Sequence, residues 1–117
     1  MKHILVVDDQ PFMRQLFIDR LADKDCLILG AESIQSDEKY LETFKFDLVI
    51  LDLYINGFQG LDFLLEIKVR YAALPVLLFT AYDNFKNDPR VQQADGYLIK
   101  NLKDIDLIYQ KVGEFLI

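Results

Sequence analysis

The sequence predicts an α/β fold: a doubly wound, five-stranded parallel sheet with helices on both faces. Three observations predict it. Short apolar runs, Ile4-Leu5-Val6-Val7, Leu48-Val49-Ile50-Leu51 and Val76-Leu77-Leu78-Phe79, read as strands buried on both faces. Segments of helical period separate them. Two of the runs end in acids, Asp8-Asp9 and Asp52. Open α/β sheets bind their ligands at that edge, outside the carboxyl ends of the strands.

The elements follow in order. A first strand is expected over about 3–7, then a helix from Pro11, which suits a helix start. Phe12, Leu16, Phe17 and Leu21 recur at helical spacing through about Asp23. A second strand is expected over 27–31. Ser36 is the expected N-cap of the next helix, with Asp37 and Glu38 in its first turn and an end near Phe44. The third strand covers 48–52. Leu61, Leu64, Leu65, Lys68 and Val69 then mark one helical face, Lys68 being the exception in it. The fourth strand covers 76–79 and ends at Thr80-Ala81. Residues 82–88 are polar and turn-rich, and Asp88-Pro89 predicts a short helix to about Ala94. A fifth strand, 97–99, ends at Lys100. A last helix from about Lys103 carries Ile105, Ile108, Val112 and Phe115 on one face. Five strands alternating with five helices, joined by short right-handed crossovers, give a doubly wound sheet in the flavodoxin-like order 2-1-3-4-5.

Length and composition narrow the function. The 117 residues suit one domain, and 52% hydrophobic against 27% charged residues is a globular balance. A net charge of −6 argues against a nucleic-acid surface, which needs clustered Lys and Arg. The single Cys26 excludes an internal disulfide and fits a reducing compartment. Met1-Lys2-His3 leads straight into a strand, so no signal peptide is expected. No apolar run approaches the ~20 residues of a membrane helix. A cytoplasmic location is the expectation.

The residues expected at strand ends are Asp8, Asp9, Asp52, Thr80 and Lys100. Each has a plain structural reading on its own. Asp52 could cap the next helix, Thr80 could bond its own strand, Lys100 could be a solvated strand end and Tyr97 a packed edge aromatic. Together they suit phosphoryl transfer to a carboxylate. Three clustered carboxylates raise one another's pKa and call for a cation, and a hard divalent ion is the simplest. Mg²⁺ binds through one or two carboxylates and phosphate oxygens. An aspartate can attack phosphorus, and a metal, an amine and a hydroxyl neutralise the transferred oxygens.

This set resembles the receiver domain of bacterial two-component response regulators, of the chemotaxis-regulator-like kind, over essentially the whole chain, 1–117. The motifs are the acidic pair Asp8-Asp9 after the first strand and the acceptor Asp52 after the third. Thr80-Ala81 follows the fourth, and Tyr97 stands three residues before Lys100. The resemblance implies that Asp52 takes a phosphoryl group from a phosphohistidine on a sensor kinase or phosphotransfer protein, or from a small phosphodonor. It implies that Asp9, Asp52 and the main-chain carbonyl of Tyr54 hold Mg²⁺, with Asp8 acting mainly through water. Lys100 and Thr80 would contact the phosphoryl group. Thr80 and Tyr97 would reposition together and alter the face of the fourth helix, fifth strand and last helix. The domain would be a phosphoacceptor that catalyses its own phosphorylation and dephosphorylation. It would switch a surface for a downstream protein and bind neither nucleic acid nor membrane.

The sequence departs from the family pattern in three places. Asn101 follows Lys100 where many receivers have proline, which removes the ground for a cis bond. The loop Ile55-Asn56-Gly57-Phe58-Gln59-Gly60 lacks the usual proline and acid. The fourth-helix region is short and carries Pro89, so a monomer or weak dimer is expected. The alternatives are a degenerate receiver that only binds, an Mg²⁺-dependent phosphohydrolase and an FMN-binding flavodoxin. Asp8-Asp9-Gln10-Pro11 lacks the Asp-x-Asp motif of the second and would repel the phosphate of the third. No output domain is expected within the chain, which would work alone or as the N-terminal piece of a longer regulator.

Overall fold

A computed structural model describes residues 1–21, 26–55, 59–81, 87–100 and 105–116. The strands are β1 (Lys2–Val7), β2 (Cys26–Ala31), β3 (Leu48–Leu51), β4 (Val76–Thr80) and β5 (Gly96–Ile99). The helices are α1 (Pro11–Leu21), α2 (Ile34–Thr43), α3 (Gly60–Arg70) and α4 (Ile105–Glu114). All strand pairs are parallel, in the order β2-β1-β3-β4-β5. The expected topology is therefore the observed one.

The three apolar runs form the centre of the sheet because both of their faces are covered. Every residue of β3 and β4 is buried. Alternate side chains serve opposite layers. Leu5, Val7, Val49, Leu51 and Leu78 pack with Leu61, Leu64 and Ile67 of α3 and Leu41 of α2. Ile4, Val6, Ile50, Leu77 and Phe79 pack with Met13, Phe17 and Leu21 of α1 and with Ile108 and Val112 of α4. Phe17 meets Phe79 edge to face at 5.3 Å between centroids. Each buried aliphatic or Phe side chain contributes about 1.5–3 kcal/mol, so these two layers carry the fold.

Several expectations about helices are corrected. In α1 the buried stripe is Met13, Phe17 and Leu21, while Phe12 is 61% exposed. In α3 it is Gly60, Leu61, Phe63, Leu64 and Ile67, and Val69 is 83% exposed. Both helices are apolar on more than one side, and the register of the actual stripe was a near choice. Lys68 leaves the core layer to donate to the carbonyl of Leu74 at 2.9 Å and to Asp95 at 2.6 Å. Asp95 also accepts the N–H of Val76, so the pair straps the starts of β4 and β5 to α3. Helix α2 begins at Ile34, so Ser36 lies within it and is not its N-cap.

The short helix expected after Pro89 is only a 3-10 turn, Val91–Gln93. Asp88 ties this segment locally: its carboxylate accepts the N–H of Arg90 at 2.9 Å and the guanidinium of the same residue. Val91 alone is buried there, and one apolar residue cannot anchor a longer amphipathic helix. The expectations for Asp23, for the loop 56–58, for 82–86, and for Asn101 and Lys103 lie outside the described residues, as does the placement of the Ile105 side chain.

Candidate functional site

The register of the sheet builds the site. Val7 pairs with Leu51, so the residues that follow, Asp8 and Asp52, emerge side by side. The ladder continues one step past each strand. Asp8 N–H donates to Ala31 O and Asp52 N–H donates to Val7 O, both at 3.0 Å. Thr80 pairs with Ile99, and Lys100 N–H donates to Thr80 O at 2.7 Å. The edge strand β5 thus delivers its lysine to the same end of the sheet.

Lys100 reaches back across β4 to two acids. Its Nζ lies 2.7 Å from Asp8 Oδ2 and 3.0 Å from Asp52 Oδ2. Asp8 and Asp52 are buried, at 2% and 6% exposure. Their remaining oxygens take main-chain donors: Asp8 Oδ1 accepts Gln10 N–H at 2.9 Å, and Asp52 Oδ1 accepts Tyr54 N–H at 3.1 Å. A buried charge is tolerable only when paired and hydrogen-bonded, and both acids meet that condition. The protein therefore supplies its own cation for two of the three acids expected to need one. Asp9 is exposed and stands on the open side of the cluster.

The electrostatics are finely opposed. Burial pushes the Asp52 carboxyl above its ordinary range. Lys100 pulls it back, Asp8 adds to the rise, and the net direction is up. Burial pulls the Lys100 ammonium down, but hydrogen bonding and charge from Asp8, joined by Asp52, outweigh it and the net direction is again up. The lysine is therefore firmly cationic, while Asp52 is held ionised less firmly than an exposed carboxylate.

A cavity of about 420 Å³ opens here, lined by Asp9, Gln10, Asp52, Tyr54, Ala81 and Lys100. Carboxylate oxygens of Asp8, Asp9 and Asp52 all lie within 4.8 Å of one another, the one such acid group among the described residues. Hard oxygen donors with one exposed member fit an Mg²⁺ ion that keeps part of its water shell. A larger cavity, about 710 Å³, lies among residues 41–47 and 71–75, but none of the clustered acids lines it.

Of the expected site residues, Asp8, Asp9, Asp52, Tyr54 and Lys100 come together around the cavity or its wall. Thr80 is fully buried at the end of β4, just before the lining residue Ala81. Tyr97 sits apart from the cavity. It pairs with Leu78 and packs, half-buried, against the α2–α3 layer. Leu78 and Thr80 alternate to one face of β4, so Thr80 and Tyr97 share a sheet face. Two residues escaped the sequence reading. Gln10 lines the cavity, and its Oε1 accepts from Lys100 Nζ at 3.2 Å. Arg14 donates from Nη1 to the main-chain oxygen of Asp8 at 2.7 Å. The loop position of Gln10 was a usable signal. A bond to a main-chain oxygen leaves none.

Gly60 fixes the loop after β3. A Cβ there would stand 2.5 Å from Leu53 O and 2.6 Å from Asp52 O. Helix α3 can pass this close to the peptide beside Asp52 only because residue 60 has no side chain.

Comparison with known proteins agrees with this geometry. The response regulator receiver domain family matches residues 4–112. GlrR, a transcriptional regulatory protein of Escherichia coli, is 30% identical over 116 residues, covering 97% of this chain and 26% of that protein. The positive alginate biosynthesis regulatory protein of Pseudomonas aeruginosa is 30% identical over 108 residues, covering 90% of this chain and 44% of that protein. The chain thus spans less than half the length of these curated relatives. TrrA from Thermotoga maritima, solved in complex with Mg²⁺-BeF, superposes with a TM-score of 0.89 at 34% identity, covering 98% of this chain and 99% of that one. TrrA solved in complex with the histidine kinase ThkA gives a TM-score of 0.88 at 34% identity, covering 100% of both chains. The family match, the sheet order and the acid cluster at the strand ends coincide, and the chain belongs to the response regulator receiver domains of two-component signalling systems.

Proposed function

We propose that Asp52 is the phosphoacceptor of a single receiver domain, 1–117, that takes its phosphoryl group from a histidine kinase or phosphotransfer protein in the cytoplasm. The observation that carries this reading is the placement of Lys100 Nζ against Asp8 and Asp52 at the wall of a cavity also lined by Asp9 and Tyr54. A carboxylate held beside a firmly cationic lysine, with open space in front of it, suits attack on phosphorus. The solved complex of TrrA with a histidine kinase supports the choice of donor.

In the proposed reaction an Asp52 oxygen forms a bond to phosphorus as the bond from phosphorus to the donor imidazole nitrogen breaks. The electron pair of that bond returns to the imidazole. Lys100 favours the ionised form of Asp52 against burial, and then offers its ammonium to the phosphoryl oxygens. Asp9, Asp52 and the carbonyl of Tyr54 would hold Mg²⁺, with Asp8 acting through water; the ion would neutralise charge on the transferred group. Thr80 would turn its hydroxyl toward the new oxygens. Its movement would alter the packing of Tyr97, on the same sheet face, and so present a changed surface to a downstream protein. The domain would also promote hydrolysis of its own aspartyl phosphate.

Incubation with acetyl phosphate and Mg²⁺ tests this on a phosphate-affinity gel. A retarded band that disappears with EDTA is expected. A single unretarded band under all conditions would instead make the domain a binding module that has lost phosphotransfer.

A further inference from the structure

Asp8 is clamped through its main chain as well as through its carboxylate. Its N–H donates to Ala31 O of β2 at 3.0 Å. Its C=O accepts Nη1 of Arg14 at 2.7 Å. Arg14 stands one turn into α1, on the side that faces β2. Its side chain runs over Gly30: a Cβ at residue 30 would lie 2.8 Å from Arg14 Cδ, 3.3 Å from Nε and 3.4 Å from Cβ. Gly30 pairs with Val6 in the ladder, next to the pair of Val7 and Ala31. The peptide that Arg14 holds is the one joining Asp8 to Asp9, and Asp9 is the exposed member of the acid cluster.

We infer that Arg14, seated in the gap that Gly30 leaves open, is a positioning residue for the divalent cation site, fixing the Asp8–Asp9 peptide so that Asp9 faces Asp52. The inference rests on the metal reading given above. It deepens that reading by naming residues that touch neither metal nor phosphate.

Charge and geometry make opposite predictions here, so the sign of the effect decides. Arg14 carries a positive charge near a cation site. Electrostatics alone therefore has Arg14→Ala binding Mg²⁺ more tightly, since a like charge is removed. If Arg14 instead holds the ligand-bearing peptide, its loss frees the loop and weakens binding. Residues that orient metal ligands are typically worth 10–100-fold in affinity. At a partly exposed site the low end, about tenfold, is the expectation.

The experiment is Mg²⁺ titration by calorimetry on the full, unphosphorylated chain. Arg14→Ala should weaken binding about tenfold. Arg14→Lys keeps the charge on a side chain one bond shorter, and should bind Mg²⁺ more weakly than the unmodified chain and no more weakly than Arg14→Ala. Gly30→Ala should weaken binding, because the added methyl displaces the flexible Arg14 stem and not the strand. In the Arg14→Ala background Gly30→Ala should cost nothing further. Val112→Ala, which trims the core under α4, should lower the melting temperature and leave Mg²⁺ affinity unchanged. Arg14→Ala binding as tightly as the unmodified chain, or more tightly, overturns the inference, as do additive losses in the double variant or an equal loss in Val112→Ala. Absence of Mg²⁺ binding by the unmodified chain would overturn the metal reading and this inference together.

Discussion

Lys100→Met takes away the ammonium between two buried acids. The side chains involved are 12% exposed for Lys100, 3% for Asp8 and 7% for Asp52, so solvent screens the pair little. Removing one partner of a buried ion pair costs about 3–5 kcal/mol, because it leaves uncompensated charge. Here Asp8 keeps the N–H of Gln10 and Asp52 keeps the N–H of Tyr54, and the cavity admits water to Asp52. Those partners argue for the low end, about 3 kcal/mol. A chain of 117 residues has roughly 6–17 kcal/mol of stability, so the variant should still fold. At this length 1 kcal/mol is worth about 4 °C, which gives a fall in Tm of about 12 °C. Mg²⁺ should then bind the variant better than the unmodified protein, since a like charge has gone, and by mass action it should raise the variant's Tm by more. The loss should also be smaller at pH 5 than at pH 7. Without Lys100 the Asp52 pKa rises further, and protonation of the native state relieves the repulsion. Thermal melts with and without Mg²⁺ at both pH values measure all three effects. A loss under about 1 kcal/mol, or an Mg²⁺ response no larger than that of the unmodified protein, would refute the account of Lys100 as the fold's internal counter-ion.

Other outcomes follow from the same geometry. The folded-state pKa of Lys100 lies above its ordinary 10.5. Its stabilisation is therefore complete below 10.5 and is lost as pH rises through the folded value, so the denaturant midpoint of the unmodified protein should approach that of Lys100→Met only above about pH 10.5. Asp9→Asn should shrink the rise in Tm that millimolar Mg²⁺ gives the unmodified protein and raise stability without metal; an undiminished rise would remove Asp9 from the metal site. Gly60→Ala forces a methyl against Asp52 O and Leu53 O, backbone atoms that cannot step aside, and should cost about 1–3 kcal/mol in chemical denaturation while slowing phosphorylation by acetyl phosphate. Tyr97→Ala should cut affinity for the proposed phosphorylation-dependent partner without slowing phosphorylation. Light scattering with beryllofluoride should show a monomer or weak dimer, because among the described residues 87–95 before β5 the one helical piece is a 3-10 turn, and a clean dimer at low micromolar concentration would contradict this.

The sheet was legible in the sequence because burial on both faces leaves uninterrupted apolar runs in β1, β3 and β4, a signal that needs no choice of face. The same strands carried Asp8 and Asp52 to one edge, since the acids follow directly on runs that pair in register. Helix faces were harder to read. In α3, Phe63, Leu64, Leu65, Ile67 and Val69 offer more than one apolar stripe, and the sheet chose the one through Ile67. Phe12 was misplaced on α1 for the same reason. Lys68 looked like a flaw in a core face until its bonds to Leu74 O and Asp95 gave it a purpose. The contribution of Lys100 as a counter-ion was also hidden. It depends on β5 lying two strands from β3, so that a long side chain can cross β4 to the acids. Arg14 was invisible because its partner is a main-chain oxygen. Gln10 stood in the right loop, but its partner, the Lys100 ammonium, comes near only once the sheet is folded.

The most direct test of Asp52 as phosphoacceptor is chemical mapping. The protein is incubated with acetyl phosphate and Mg²⁺, reduced with borohydride, which converts an aspartyl phosphate to homoserine, and sequenced by mass spectrometry. The account predicts homoserine at residue 52 and none elsewhere, with labelling lost in Asp52→Ala. Reduction at Asp8, Asp9 or another carboxylate in the unmodified protein, or labelling that persists in Asp52→Ala, would contradict it.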